Sequence, residues 1–401
     1  MGHEAGGTST PTFLRPVSSL MIGFPPARAD QVTLANWRTA PYNRWAFHHV
    51  RELVPTAAIP RGAGSAWELS AGPMDLPVGD LAATNTDGIV ILHQGRMVFE
   101  QYANGMTPSS PHILMSVSKS LIGLLAGIMV ERGMLDPNRD VTDVVPELKA
   151  TAYRGATIRH LLDMRVGVAF DENYLATSGL IIAYRKSTGW NPLVLGEAAS
   201  DLRSFFGNLT QADGPHGGRF HYVSPNTDLL GWVMERSAGR RFADLMSELL
   251  WQPMGAEYDA LITVDRLGAP RCAGGLCLTT RDLARVGQLI AQGGRRAGVA
   301  VIPQSWIEDI FSAGDPQAWL AGPFVPLFPG QPIHYRSKCY VVRGERPLFF
   351  GFGIHGQHLF VDRSAGLVIA KFSSQAAPLD VGRIAETLAL VERIRKCLPG
   401  S

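Results

Sequence analysis

Residues 114 to 136 read LMSVSKSLIGLLAGIMVERGMLD, and no other stretch constrains the fold as strongly. Leu121, Leu124, Leu125, Ile128 and Met129 recur at helical spacing and Gly133 supplies a stop, so the pattern predicts a buried helix with Ser116 at or just before its first turn. Lys119 stands inside this apolar run, where exposure is not its obvious fate. Ser116 is the one serine three residues ahead of any of the six lysines. With serine at roughly 7% of residues, about 0.4 such pairs arise by chance, so the spacing decides nothing alone. Two readings stay open. Ser116 is an N-cap followed by a solvent-facing lysine, or the amine one turn on takes the hydroxyl's proton and the helix start favours a developing oxyanion.

At 401 residues, 46% hydrophobic and 18% charged, the chain is globular and can bury one large core or two smaller lobes. Its 37 basic and 35 acidic residues leave a formal charge of +2 with no long basic run, which points to a small-molecule substrate and away from nucleic acid. Cys272, Cys277, Cys339 and Cys397 are too scattered for a disulfide framework and are not spaced as a zinc site, so no metal is expected and a reducing compartment is the simplest reading. Near the start, Leu20 to Phe24 is apolar and Ala27-Arg28-Ala29 mimics a cleavage site. The apolar stretch is below signal-peptide length, however, and Arg15 is the only arginine or lysine ahead of it. No run approaches the ~18 apolar residues that span a bilayer. The expectation is a cytoplasmic protein without membrane attachment.

A Pro- and Gly-rich lead to about residue 80 is followed by GIVILHQGRMVFEQY (88 to 102), which reads as a hairpin turning at His93-Gln94-Gly95. Residues 155 to 265 carry mostly helical patterns. From Thr279, TTRDLARVGQLIAQGG is an amphipathic helix opened by a Thr/Asp cap, then come three strand-like runs, CYVVRG, QHLFVD and GLVIAKFSS, and a last helix from about Val381 to Lys396. The order predicts an α+β fold: an antiparallel sheet flanked by helices, with an all-helical part inserted.

Two further constellations carry candidate chemistry. In FHYVSPNTDLLGW, Tyr222 and Ser224 can present two hydroxyls to one pocket, where nearby ammonium groups would lower the phenol's pKa; the alternative is a core tyrosine beside a helix cap made by Ser224, Asn226 or Thr227. Gly351-Phe352-Gly353-Ile354-His355-Gly356 matches the dinucleotide fingerprint literally, but a strand and not a helix follows, so that reading is rejected. Glycines in a strand mark close backbone approach, which a ligand along the edge would need. For His355 a hydrogen-bonding role in the core is the simpler reading. There is no Gly-x-Ser-x-Gly elbow, His-Glu-x-x-His or P-loop.

Ser116-x-x-Lys119, Tyr222-Val223-Ser224 and the Gly353-Ile354 strand, in this order, resemble the serine β-lactamase-fold hydrolases of the class C type. The chain is similar more closely to 6-aminohexanoate-dimer hydrolases and related carboxylesterases, through PYNRWAFHHV, LMSVSKSL, DVVPEL, YVSPNTD, TTRDLARVG and GIHGQ, spread from residue 41 to 357. The resemblance implies one catalytic domain over 1–401, with 1–130 and 270–401 forming an α/β lobe and 131–269 a mostly helical one. It implies an acyl-enzyme route without metal or cofactor on small amides or short-chain esters, in a monomer or homodimer. Ser116 would be the nucleophile, Lys119 and Tyr222 would move its proton, and the N–H groups of Ser116 and Ile354 would form the oxyanion hole. Tyr174, in DENYLATSG, would close over the substrate, Trp190 would form a wall, and Ser224, Gly353 and His355 would stand beside the substrate.

Two departures from the family pattern matter. Where penicillin-recognising members carry Lys-Thr-Gly, this chain has Gly351-Phe352-Gly353, which weighs against the alternative of a β-lactamase or D-Ala-D-Ala peptidase. Arg185 falls where a nylon-oligomer hydrolase can carry an aspartate for the substrate's amine, so short-chain esters are expected to outpace aminohexanoate dimers unless Arg185 is simply a solvated surface arginine. A non-catalytic protein of this fold is the rival from another class.

Overall fold

The hairpin expected at 88 to 102 forms as Thr86–His93 and Arg96–Tyr102, with His93 opposite Arg96 and left-handed Gln94 and Gly95 (φ 50° and 78°) making the turn. The structure is a computed structural model and describes residues 19 to 398; Arg15 and the first part of the lead lie outside them. Among the described residues the main sheet has seven antiparallel strands, in the spatial order Arg96–Tyr102, Thr86–His93, Leu367–Ser373, Gln357–Asp362, Leu348–Gly353, Cys339–Val342 and Ile333–Arg336. The three strand-like runs read from the sequence are thus all strands of one sheet.

Both faces of this sheet are covered, which is why its central strands read as unbroken apolar runs. Val90 and Leu92 point into one core with Leu359, Val361 and Val368, while Ile89 and Ile91 point into another with Phe350, Phe360 and Ile369. The first core includes the helix Val117–Glu131, buried from Val117 through Met129, and the amphipathic helix Thr280–Ala291, capped by Thr279, whose hydroxyl accepts from Asp282 N at 3.1 Å. The second core is closed by Val381–Cys397 through Ile384, Leu390, Val391 and Ile394. Each such side chain removed from water contributes about 1.5–3 kcal/mol, so the helices hold the sheet from both sides. This is the helix-flanked antiparallel sheet the element order predicts.

Between Glu131 and Met254 the described elements are helical. Ile158–Leu162 opens with a reciprocal cap: Thr157 Oγ1 accepts from His160 N at 3.3 Å and His160 Nδ1 accepts from Thr157 N at 3.1 Å. Pro225–Ala238 begins with Pro at its first position and stops at left-handed Gly239.

A second sheet is not foreshadowed by the sequence patterns. Thr56–Ile59, Ala260–Thr263, Leu276–Leu278 and His112–Ile113 pair in that order. Its strands are too short to show an alternation, and their partners are remote in the chain. This sheet leads straight from Ile113 into the helix that begins at Val117. The lead packs here too, with Trp37 and Phe47 in one cluster with Ile113, Met115 and Trp190. Among the described residues no helix is long and apolar enough to cross a membrane, and Cys272, Cys277, Cys339 and Cys397 are free thiols.

Candidate active site

The turn that delivers Ser116 is tight. Met115 sits at φ 45°, a region that residues with a side chain rarely occupy, and Ser116 follows as the residue capping the Val117–Glu131 helix. Its hydroxyl makes no capping bond. Instead Ser116 Oγ lies 2.8 Å from Lys119 Nζ, and Lys119 is 1% exposed, so the reading of a serine cap beside a solvated lysine fails.

Lys119 Nζ has two further partners, Ser224 Oγ at 3.1 Å and the carbonyl of Ala273 at 2.7 Å. Burial chiefly pulls its pKa down to about 7, with Glu172 opposing the shift and Arg271 adding to it. As an ammonium it uses all three N–H groups; after losing one proton it keeps two donors and gains a lone pair. Ala273 O can only accept. The Ser224 hydroxyl donates to Glu172 Oε1 at 2.5 Å, so it too can only accept from the amine. The lone pair is therefore left facing the hydroxyl of Ser116.

Glu172, which sequence reasoning passed over, also accepts from Ser224 N at 2.8 Å. Asp228, equally overlooked, fixes the Ala273 carbonyl from behind: it accepts from Ala273 N at 2.7 Å and, buried, from the Tyr184 hydroxyl and Arg271 Nη1. Both carboxylates lie inside stretches quoted for other residues, DENYLATSG and YVSPNTD, but an acidic residue carries no mark of the direction it faces.

Tyr222 is buried with Lys119 Nζ 4.8 Å from its ring centre, and its ring stacks on Phe324 at 4.5 Å. Burial raises its phenol well above the usual range, and a hydrogen bond with Ser116 only partly offsets this. The expectation of a lowered phenol is not met, because burial, with Glu172 adding to it, outweighs the lowering by Ser116, Tyr340 and Arg271.

The strand end at Gly353 abuts the same turn. A Cβ there would stand 2.8 Å from Leu114 O and 3.0 Å from Ser116 N, so only glycine lets the strand approach this closely. Ser116 N has no acceptor among the described residues, and Ile354 follows at the edge of the cleft.

A cleft opens on Ser116. Tyr174, Arg185, Trp190, Ser224 and Ile354, all expected from the sequence, line it. Lys119, Tyr222 and Gly353 are not among its lining residues. Arg185 is 8% exposed and donates to Tyr174 O at 3.0 Å, which excludes the solvated surface reading. Trp190 is locked by its Nε1 donating to Thr263 Oγ1 at 3.1 Å and by its carbonyl accepting from Trp37 Nε1 at 3.0 Å.

His355 does not join them. At φ 63° it turns inward, 3% exposed, with Nδ1 2.7 Å from Gln375 O and its ring edge-on to Phe47 at 5.2 Å. Burial lowers its pKa to about 4. Of the two readings of His355, the core hydrogen-bonding role fits, and the place beside the substrate does not. Arg38 and Arg271, which also line the cleft, went unnoticed in the sequence because each is an isolated arginine with no patterned neighbour.

Residues 79–392 match the family described as Beta-lactamase. A 6-aminohexanoate-dimer hydrolase of Paenarthrobacter ureafaciens is 37% identical over 363 residues, covering 88% of this chain and 91% of its own. Among solved structures, a Bacillus anthracis protein provisionally named 6-aminohexanoate-dimer hydrolase superposes with a TM-score of 0.82 at 25% identity, over 94% of this chain and 100% of its own. A family VIII carboxylesterase, 17% identical with a TM-score of 0.59 over 83% of this chain and 99% of its own, shares the fold. With the match spanning most of its length, this chain belongs to the Beta-lactamase family and is a hydrolase of that fold close to the 6-aminohexanoate-dimer hydrolases.

Proposed function

We propose that the chain is a serine hydrolase cleaving small linear amides or short-chain esters through an acyl-enzyme on Ser116. One observation carries the reading: a buried amine, 2.8 Å from the Ser116 hydroxyl and with a pKa near 7, whose other two partners can only accept. Lys119 takes the proton as Ser116 Oγ bonds to the substrate carbonyl carbon. The oxyanion that develops is met by the N–H groups of Ser116 and Ile354. As the carbon–nitrogen or carbon–oxygen bond breaks, Tyr222 hands its proton to the leaving group and is reprotonated from Lys119. Water then adds to the acyl carbon, its proton passing to the same pair, and the acid leaves with Ser116 restored. The amide side of the reading is supported by the name of the 37% identical relative, and the ester side by Arg185, which would repel the ammonium of an aminohexanoate dimer.

The test is Ser116→Ala. It should lose hydrolysis of p-nitrophenyl butyrate and labelling by a fluorophosphonate while keeping its unfolding midpoint, since no capping bond is lost. Full turnover by the variant would falsify the mechanism.

A further inference from the structure

We infer that the cleft is built for an acyl group ending in a carboxylate, received by Arg38, Arg185 and Arg271; this rests on the acyl-enzyme reading above. All three guanidinium groups line the cleft that opens on Ser116. Arg271 and Arg38 lie 4.9 and 5.8 Å from the ring of the same Trp190, so two cations share one indole. They repel one another: burial first, then Arg185 and Arg271, lower the pKa of Arg38 to about 9.

Two protein carboxylates face the three guanidinium groups. Asp228 pairs with Arg271. Glu172, which also lines the cleft and accepts from the amide and hydroxyl of Ser224, favours the charged forms of Arg185 and Arg271, so the cluster keeps one cation in excess. Among the described residues Arg185 donates to a carbonyl and Arg38 Nη2 to the side-chain oxygen of Asn191. A planar carboxylate in the cleft is the complement that three guanidinium groups gathered on one wall select for. In this proposal the acyl half occupies the cleft and the leaving atom lies toward Tyr222 and Lys119, neither of which is among its lining residues.

The test uses three p-nitrophenyl esters with one leaving group: the butyrate, the monoglutarate and the 4-aminobutyrate. The wild type should show kcat/KM for the glutarate about tenfold above the butyrate, with the aminobutyrate slowest. Added salt should narrow the gap, as should Arg38→Gln and Arg185→Gln. Equal turnover of glutarate and butyrate would overturn the inference, and preference for the aminobutyrate would overturn it and leave Glu172 as the charge that selects. If no ester turns over and no fluorophosphonate label is taken up, the serine reading has failed. Calorimetry on the wild type still decides the subsite, which must bind free glutarate and not butylamine.

Discussion

At the scale of single residues, the proposed chemistry turns on where one lysine proton sits. Burial holds the Lys119 pKa near 7 while Glu172 pushes it up, so kcat/KM should climb with pH along a limb centred near 7 as the ammonium loses its proton. Glu172→Gln removes the charge that favours the ammonium; the pKa falls further and the limb should move to lower pH. A pH profile of ester hydrolysis for both proteins checks this, and an unmoved limb would uncouple Glu172 from the base. Tyr174, which lines the cleft, was suggested only by the family resemblance, whereas the gathering of Ser116, Lys119 and Tyr222 was legible in the sequence because their motifs stand in a recognisable order. Glu172, Asp228, Arg38 and Arg271 were not, although they govern charge in the cleft: a lone charged residue shows its role only once the fold reveals its neighbours. At His355 the simpler reading from the sequence, a hydrogen-bonding role in the core, is the one the structure matches.

At the scale of elements, the contact between the strand Leu348–Gly353 and the turn before Val117 is the tightest constraint on the site. In Gly353→Ala the new methyl meets Leu114 O at 2.8 Å and Ser116 N at 3.0 Å, backbone atoms that cannot rotate aside. The strand must withdraw, at about 1–3 kcal/mol of overpacking, and a displacement of ~1 Å at the reacting centre costs about 10²-fold. The variant should thus lose kcat on p-nitrophenyl butyrate with little change in far-ultraviolet dichroism. Undiminished kcat would mean that Ile354 N takes no part. Long elements were readable in advance: the helices at 117–131, 280–291 and 381–397 and the main-sheet strands announce themselves by spacing or apolar runs. The second sheet escaped because strands such as His112–Ile113 and Leu276–Leu278 are fixed by pairing with distant partners, not by their own pattern.

For the whole molecule, burying bases has a cost that depends on pH. His355 and His358 are held neutral by burial, with pKa values near 4 and 3 against an ordinary 6.5, and Lys371 opposite His358 is lowered to about 8 from 10.5. In each case the unfolded chain binds more protons than the folded one between the two values, so stability rises with pH there. Urea midpoints should therefore increase from pH 5 to 7 to 9, and a higher midpoint at pH 5 than at 7 would contradict this. The strand order carries one more consequence. Thr86–His93, made early in synthesis, has Leu367–Ser373 as its inner neighbour, and Gly353 must arrive before the Ser116 turn is braced. A nascent chain lacking its final strands leaves the inner edge of the Thr86–His93 hairpin open to pair with other chains, and its slow, long-range closure prolongs that interval. Fragments ending before residue 348 should accumulate as aggregates on the ribosome or soon after release, so this hydrolase must be finished before it can begin to fold its own reaction chamber.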